Sequence, residues 1–435
     1  MAGVAAVTDG DSAPLQLLVD WERAPGVTSP ELAATWCRLE IVVRGRPVTL
    51  VEDTRGGGIR RAVHTSAYPL AEWIATCWWT LREHARPSAV SSRGWTWANV
   101  QQLPWQRSHN VRGAGGGMPW PDLTLVPEGA VTHVVWTAVS GLPAQPVSFL
   151  TSGDTYLPAA AVRQALGRLV EQVLERLTEA GVTGTVLQRE WEELGELDQD
   201  ERQFAAAAAR LGLDPFDVDD QVADQIESLA DAYDPELLGE FLDSADVQHL
   251  SAAGQWLERA RGYARLAHRT RAALPLDPRA DEAPPWTLGY QLARAYRSQL
   301  GLRPTDRVDL MDLVGLARVA GDPAGLQGLV QMAADGVGLV LPEESMSVTT
   351  TRFAQARALG ISLFTTRTTA LLDPTRNDLA TRSRAFAAEL LAPAEGIAEY
   401  LDALPAVTDR AIDAVADRFD ASSALVQRQH ENQLA

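Results

Sequence analysis

The chain contains no lysine: every one of the 38 residues in its Lys+Arg count is arginine. That absence removes whole classes of chemistry. A phosphate-binding loop closing on Gly-Lys, a kinase's lysine and a Schiff-base lysine are all excluded. The triplets Gly56-Gly57-Gly58 and Gly115-Gly116-Gly117 are therefore read as turns, because glycine accepts positive φ without steric cost. Cysteine is nearly missing too. Cys37 and Cys77 are the only two, too few for a disulfide framework or a cysteine metal site, and no neighbour in sequence marks either as an activated thiol. Long apolar runs are also lacking: residues of apolar type make up 46% of the chain, yet none of the runs approaches a membrane span. The opening segment has no basic region followed by an apolar core, so no secretory signal is expected. A cytoplasmic protein with no membrane association is the expectation.

What is abundant is acid, and it is unevenly placed. The net charge is −19. Residues 1–150 hold 12 acids and 12 arginines, residues 151–250 hold 23 acids and 6 arginines, and residues 251–435 hold 22 acids and 20 arginines. The middle segment would repel a nucleic-acid backbone, so nucleic acid is disfavoured as a partner. One stretch, Trp256–Leu274, is a basic helical pattern with Arg259, Arg261, Arg265, Arg269 and Arg271. It is read as an internal electrostatic partner of the acidic segment, with nucleic-acid contact as the alternative.

Tryptophan is equally uneven. Ten of the 13 precede residue 140: Trp21, Trp36, Trp73, Trp78, Trp79, Trp95, Trp97, Trp105, Trp120 and Trp136. A separate Trp-rich domain over 15–150 follows, with hairpins expected over 36–53 and 122–139 and a helix over 69–84. Residues 158–274 read as an acidic, all-helical region, including helical patterns over 159–181 and 189–213. The Pro-rich charged run 276–286 marks a boundary. The last domain, 286–434, reads as mostly helical with a short sheet. Helical patterns fall at 287–302, 308–320, 350–366, 377–392 and 408–419, and a strand–turn–strand at 326–343 around Ala334-Asp335-Gly336. The fold class expected for the whole chain is α+β.

Two segments in that last domain carry a resemblance. Arg352-Phe353-Ala354-Gln355-Ala356-Arg357-Ala358-Leu359-Gly360-Ile361 and Phe386-Ala387-Ala388-Glu389-Leu390-Leu391-Ala392-Pro393, in this order and spacing, resemble the ImmA/IrrE-type zinc metallopeptidases. The likeness covers about 286–434 and implies a zincin-like domain. In that family the first helix carries HExxH, two histidines one turn apart for zinc and a glutamate that activates the metal-bound water. Here Arg357 stands in place of the first histidine, Ala358 of the glutamate and Ile361 of the second histidine. Ala380 and Arg382 stand where the family places its acidic ligand, with Asp378 the nearest upstream carboxylate. Of seven histidines only His430 lies in this domain. No metal, no cofactor and no peptidase activity are expected.

The resemblance therefore implies a binding shell rather than a cutting site. Arg352, Arg357 and Arg382 are expected to line the former active site and favour an anionic group, unless Arg357 is simply a surface arginine. Trp78 and Trp79 are candidate contacts for a protein partner. Adjacent helix positions point about 100° apart, so one is expected in the core and the other exposed or at a contact. The run Pro121–Gly129 resembles the start of a PD-(D/E)xK nuclease motif, but the required lysine does not exist. The expected function is a non-catalytic regulator or sensor in a stress, mobile-element or phage-defence setting. The alternatives are a structural adaptor in a multi-protein assembly and an enzyme whose site lies in the N-terminal domain.

Overall fold

A computed structural model describes residues 13–24, 26–53, 56–86, 104–139, 147–264, 284–333, 336–343, 346–375, 377–402, 404 and 406–434. Trp95, Trp97, Arg265, Arg269, Arg271, most of the expected linker and the turn pair Ala334-Asp335 lie outside the described residues. The chain divides into two compact units, Met1–Val218 and Asp219–Ala435. The helices of residues 158–264 fall in both units, up to Val218 in the first and from Asp219 in the second.

In the first unit, period-2 alternation sets the leading sheet. Cys37, Leu39, Ile41 and Val43 of strand β2 (Trp36–Val43) are fully buried, as expected when every second side chain faces the core. Strand β1 (Leu15–Trp21) runs antiparallel along it from Leu15↔Val43 to Trp21↔Cys37. A short helix α1 (Pro30–Ala34) links the two. Arg44 and Gly45 both have positive φ, 45° and 76°, which closes the hairpin to β3 (Arg46–Pro47) in two residues. The other edge of β2 also takes β6 (Val63–Ser66). Strands β4 (Val51–Asp53), β5 (Ile59–Arg60) and β9 (Val147–Phe149) form a second, small sheet. The third joins β7 (Asp122–Glu128), β8 (Val131–Thr137) and β10 (Gly153–Pro158), all antiparallel.

The expected helix over 69–84 is broken. It runs as α2 (Tyr68–Thr76), a turn through Cys77-Trp78-Trp79, and α3 (Thr80–Glu83). A short helix α4 (Pro104–His109) packs on β7. Helix α5 (Ala159–Glu179) buries Val162, Leu166, Leu169, Val170, Val173 and Leu177 in one stripe against β1 and α2. The pattern over 189–213 is two helices, α6 (Val186–Glu196) and α7 (Gln199–Arg210). Each starts with a capping box, Thr185 with Gln188 and Asp198 with Glu201. These reciprocal bonds satisfy orphan amides and end the preceding helix. Helix α6 packs on α2 and α7 on α3.

The second unit opens with α8 (Asp220–Ala232), α9 (Pro235–Ser244) and α10 (Leu250–Ala264), followed by α11 (Pro285–Gln299). Its sheet has the order β11-β13-β12-β14, from β11 (Gly315–Val319), β12 (Leu329–Ala333), β13 (Gly336–Pro342) and β14 (Thr369–Leu371). Strands β12 and β13 pair antiparallel, while β11 runs parallel to β13. The helical pattern expected over 308–320 is corrected by β11. Val308, Leu310 and Val314 do face the core, but from a loop, and pairing with β13 overrides the local periodicity. Strand β13 is buried at every position, and helices α10 and α12 (Val348–Phe364) both pack on it. Then come α13 (Asp378–Leu391), α14 (Ala394–Leu401), α15 (Asp409–Phe419) and α16 (Ser423–Gln433). The fold is mixed α+β. Among the described residues no helix is long and apolar enough to cross a membrane.

Candidate functional site

Helix α12 carries the positions that resemble the zinc motif, and it is buried on all sides from Ala354 to Leu363. A helix enclosed all round offers its side chains no route to water. Ala358 and Ile361 accordingly sit in the core, at 0% and 1% exposure. Arg357 is enclosed with them, at 4%, so it is neither a surface arginine nor a groove-lining one. A buried guanidinium must find its acceptors inside the protein. It donates to the backbone oxygen of Asp373 at 2.8 Å and to Gln327 Oε1 at 3.3 Å. Burial, helped by the like charge of Arg384, pushes its pKa down to about 9. Arg384 donates to the same Asp373 oxygen at 2.7 Å and to the Thr375 oxygen. The Asp373 carboxylate is held by the Thr375 amide at 2.6 Å and by Asn377 Nδ2, and burial raises its pKa. Arg357 is thus a buried cation that ties α12 to the loop after β14.

Arg352 and Arg382 are placed elsewhere. Arg352 donates to the oxygens of Val308 at 3.1 Å and Asp420 at 3.2 Å. Asp420 has φ 54° and closes α15, so this arginine fastens the turn between the last two helices. Arg382 pairs with Asp378 one turn earlier on α13, at 2.8 Å. The three arginines therefore bond to three separate segments, and Arg357 lines no groove. Glu389, inside the second resembling segment, has a role that its sequence context did not signal. It is 1% exposed and accepts from Arg294 Nε at 2.8 Å, from Gln429 Nε2 and Gln433 Nε2 at 2.9 Å each, and from the Ala394 amide. One buried carboxylate so joins α11, α13, α14 and α16. The chemistry of this donor set does not fit zinc. At Arg357, Ala358 and Ile361 stand a fixed cation and two apolar side chains, which offer a metal no ligand, and like charge opposes a dication. Among the described residues no group of three or more His, Cys, Asp or Glu could hold a metal ion.

Trp78 and Trp79 lie in the first unit, on the rim and wall of a cleft of about 600 Å³. Trp79 is buried, at 6% exposure, while Trp78 is half-buried and meets Trp191 edge to face at 5.0 Å. One core and one contact position is what their adjacency implies. Arg82 covers both rings, its Cζ 4.6 Å from the Trp79 centroid and 5.7 Å from that of Trp78. The cleft is completed by Arg163 of α5, Leu194 of α6, and Gln199, Arg202, Gln203 and Ala206 of α7. The arginines were not picked out as site residues from sequence. Arg82 had a usable signal, since it follows Trp79 by three residues and Trp78 by four, the spacing that stacks side chains on a helix. Arg163 and Arg202 had none, because only the packing of α5 and α7 brings them there.

The remaining candidates are scattered. His109 is fully buried, stacked on Trp105 at 4.1 Å, and burial pushes its pKa down to about 3. His133 stacks on Tyr156, and His64 pairs with Glu22 at the surface. Burial raises both thiols, Cys37 and Cys77, to about 12, which argues against nucleophilic use. Asp122, in the segment resembling a nuclease motif, accepts from Asn110 at 2.7 Å. The sequence matches no protein-family model and no curated protein.

Proposed function

We propose that this protein is a non-catalytic regulator or sensor in which residues 286–434 form a zincin-like shell of the ImmA/IrrE type, with the catalytic positions converted to scaffold. One observation carries the reading. Arg357, at the position of the first zinc histidine, is enclosed in the core and commits its guanidinium to Gln327 and the Asp373 carbonyl. The scaffold residues of the two resembling segments support it, because they pack on each other: Gly360 lies directly against Phe386. A helix–helix contact that depends on glycine persists where the chemistry does not, as expected when a domain is retained for its shape and its binding surfaces. Partners are then proteins or small ligands taken up elsewhere on the chain, in a regulatory or defence setting.

Elemental analysis of the full-length protein, purified and dialysed after growth with added zinc, tests the reading. The expected result is far less than one zinc per chain and no proteolysis sensitive to chelators. Stoichiometric zinc, with a peptidase activity lost on chelation, would overturn it.

A further inference from the structure

The cleft at Trp78 and Trp79 has a chemistry of its own. Three arginines reach it from three helices, Arg82 from α3, Arg163 from α5 and Arg202 from α7, and among the described residues no carboxylate lines it. That is notable in its setting: residues 151–250 hold only 6 arginines among 23 acids, and two of the six are placed here. Helical spacing explains the α7 wall, since Gln199 and Gln203, like Arg202 and Ala206, are one turn apart and share a face.

The charge in the cleft is poorly compensated within the chain. Among the described residues the nearest carboxylate to Arg82 is Glu83, whose oxygen is 4.0 Å from the guanidinium, and Glu83 is already bonded to Arg210 at 3.1 Å. Arg82 Nε and Trp79 Nε1 are buried and have no hydrogen-bond partner among the described residues. Burial lowers the pKa of Arg82, Glu83 offsets part of that, and the like charge of Arg163 adds to it. An anion entering the cleft would relieve that cost. A carboxylate brings one charge and two acceptor oxygens. A phosphate ester brings nearly two charges and three oxygens, which suits three guanidinium donors better. The apolar part of the lining, Trp78 and Leu194 with Ala206 beside them, suits a flat body attached to the phosphate.

We propose that this cleft binds a phosphate-bearing small molecule, its phosphate held by Arg82, Arg163 and Arg202 and its flat apolar part against Trp78 and Leu194. The proposal gives a ligand class to the sensor reading above, but it lies wholly in the first unit and fails separately from it, since zinc content does not bear on it.

Isothermal titration of the full chain with adenosine monophosphate, inorganic pyrophosphate and adenosine tests it. Saturable binding of adenosine monophosphate is expected, weakening as salt is raised and at least about tenfold tighter than that of adenosine. Arg163 and Arg202 are exposed, so Arg163→Gln and Arg202→Gln should leave the melting temperature unchanged. Each should weaken binding by about tenfold. The proposal is overturned if neither phosphate compound binds, if adenosine binds as tightly as its monophosphate, or if the double variant binds as well as the parent.

Discussion

Arg357 and Arg382 look alike in the sequence, two arginines on alanine-rich helices, and the protein treats them oppositely. Arg382 has a half-buried side chain paired with Asp378 one turn away, an interaction worth a few tenths of a kcal/mol. Arg357 fills core volume and supplies donors to the Asp373 carbonyl and Gln327. Its removal leaves a cavity and buried acceptors without their donor. Urea unfolding of Arg357→Ala is expected to show a loss of about 2–4 kcal/mol, and Arg382→Ala about 0.5 kcal/mol or less. Equal, small losses would mean that Arg357 is not enclosed as described. The absence of HExxH was legible residue by residue. The burial of Arg357 was not, because it depends on what surrounds α12 on every side.

At the level of elements, close approach is decided at glycines. A Cβ at Gly289 on α11 would lie 2.5 Å from the backbone oxygen of Arg382 and 2.7 Å from Ala385 Cβ, both on α13. Neither can move without shifting the helix. Gly262 on α10 has open space where a Cβ would stand. By helix propensity alone, alanine stabilises both positions by about 0.5–1 kcal/mol. The expectation is that Gly262→Ala follows propensity in chemical denaturation, while Gly289→Ala costs about 1–3 kcal/mol through overpacking. A stabilised Gly289→Ala would remove the case for tight α11–α13 packing. Elements with a strong period were legible: β2 by alternation, α5 by its apolar stripe. Those set by pairing or by local caps were not. Strand β11 reads as a helix until β13 lies beside it, and α6 and α7 read as one helix until the Asp198 cap separates them.

Across the whole molecule, the two compact units have distinct hydrophobic cores, one containing Leu39 and the other Leu390. Scanning calorimetry of the intact chain is expected to resolve two transitions. Leu39→Ala and Leu390→Ala, both at fully buried positions, should each cost about 2–5 kcal/mol and lower a different one. A single transition displaced by both variants would contradict independent units. The chemistry open to this chain was limited by composition alone. Without lysine and with only two cysteines, lysine-dependent phosphate loops and disulfide frameworks have no groups to work with, since no folding can supply a missing functional group. Where the remaining groups act was decided by tertiary structure. Arg82, Arg163 and Arg202 lie 81 and 39 residues apart in the chain and share one cleft only because α5 packs on α2 and α7 on α3. Contact between distant residues is a property of that packing, and local sequence patterns do not encode it.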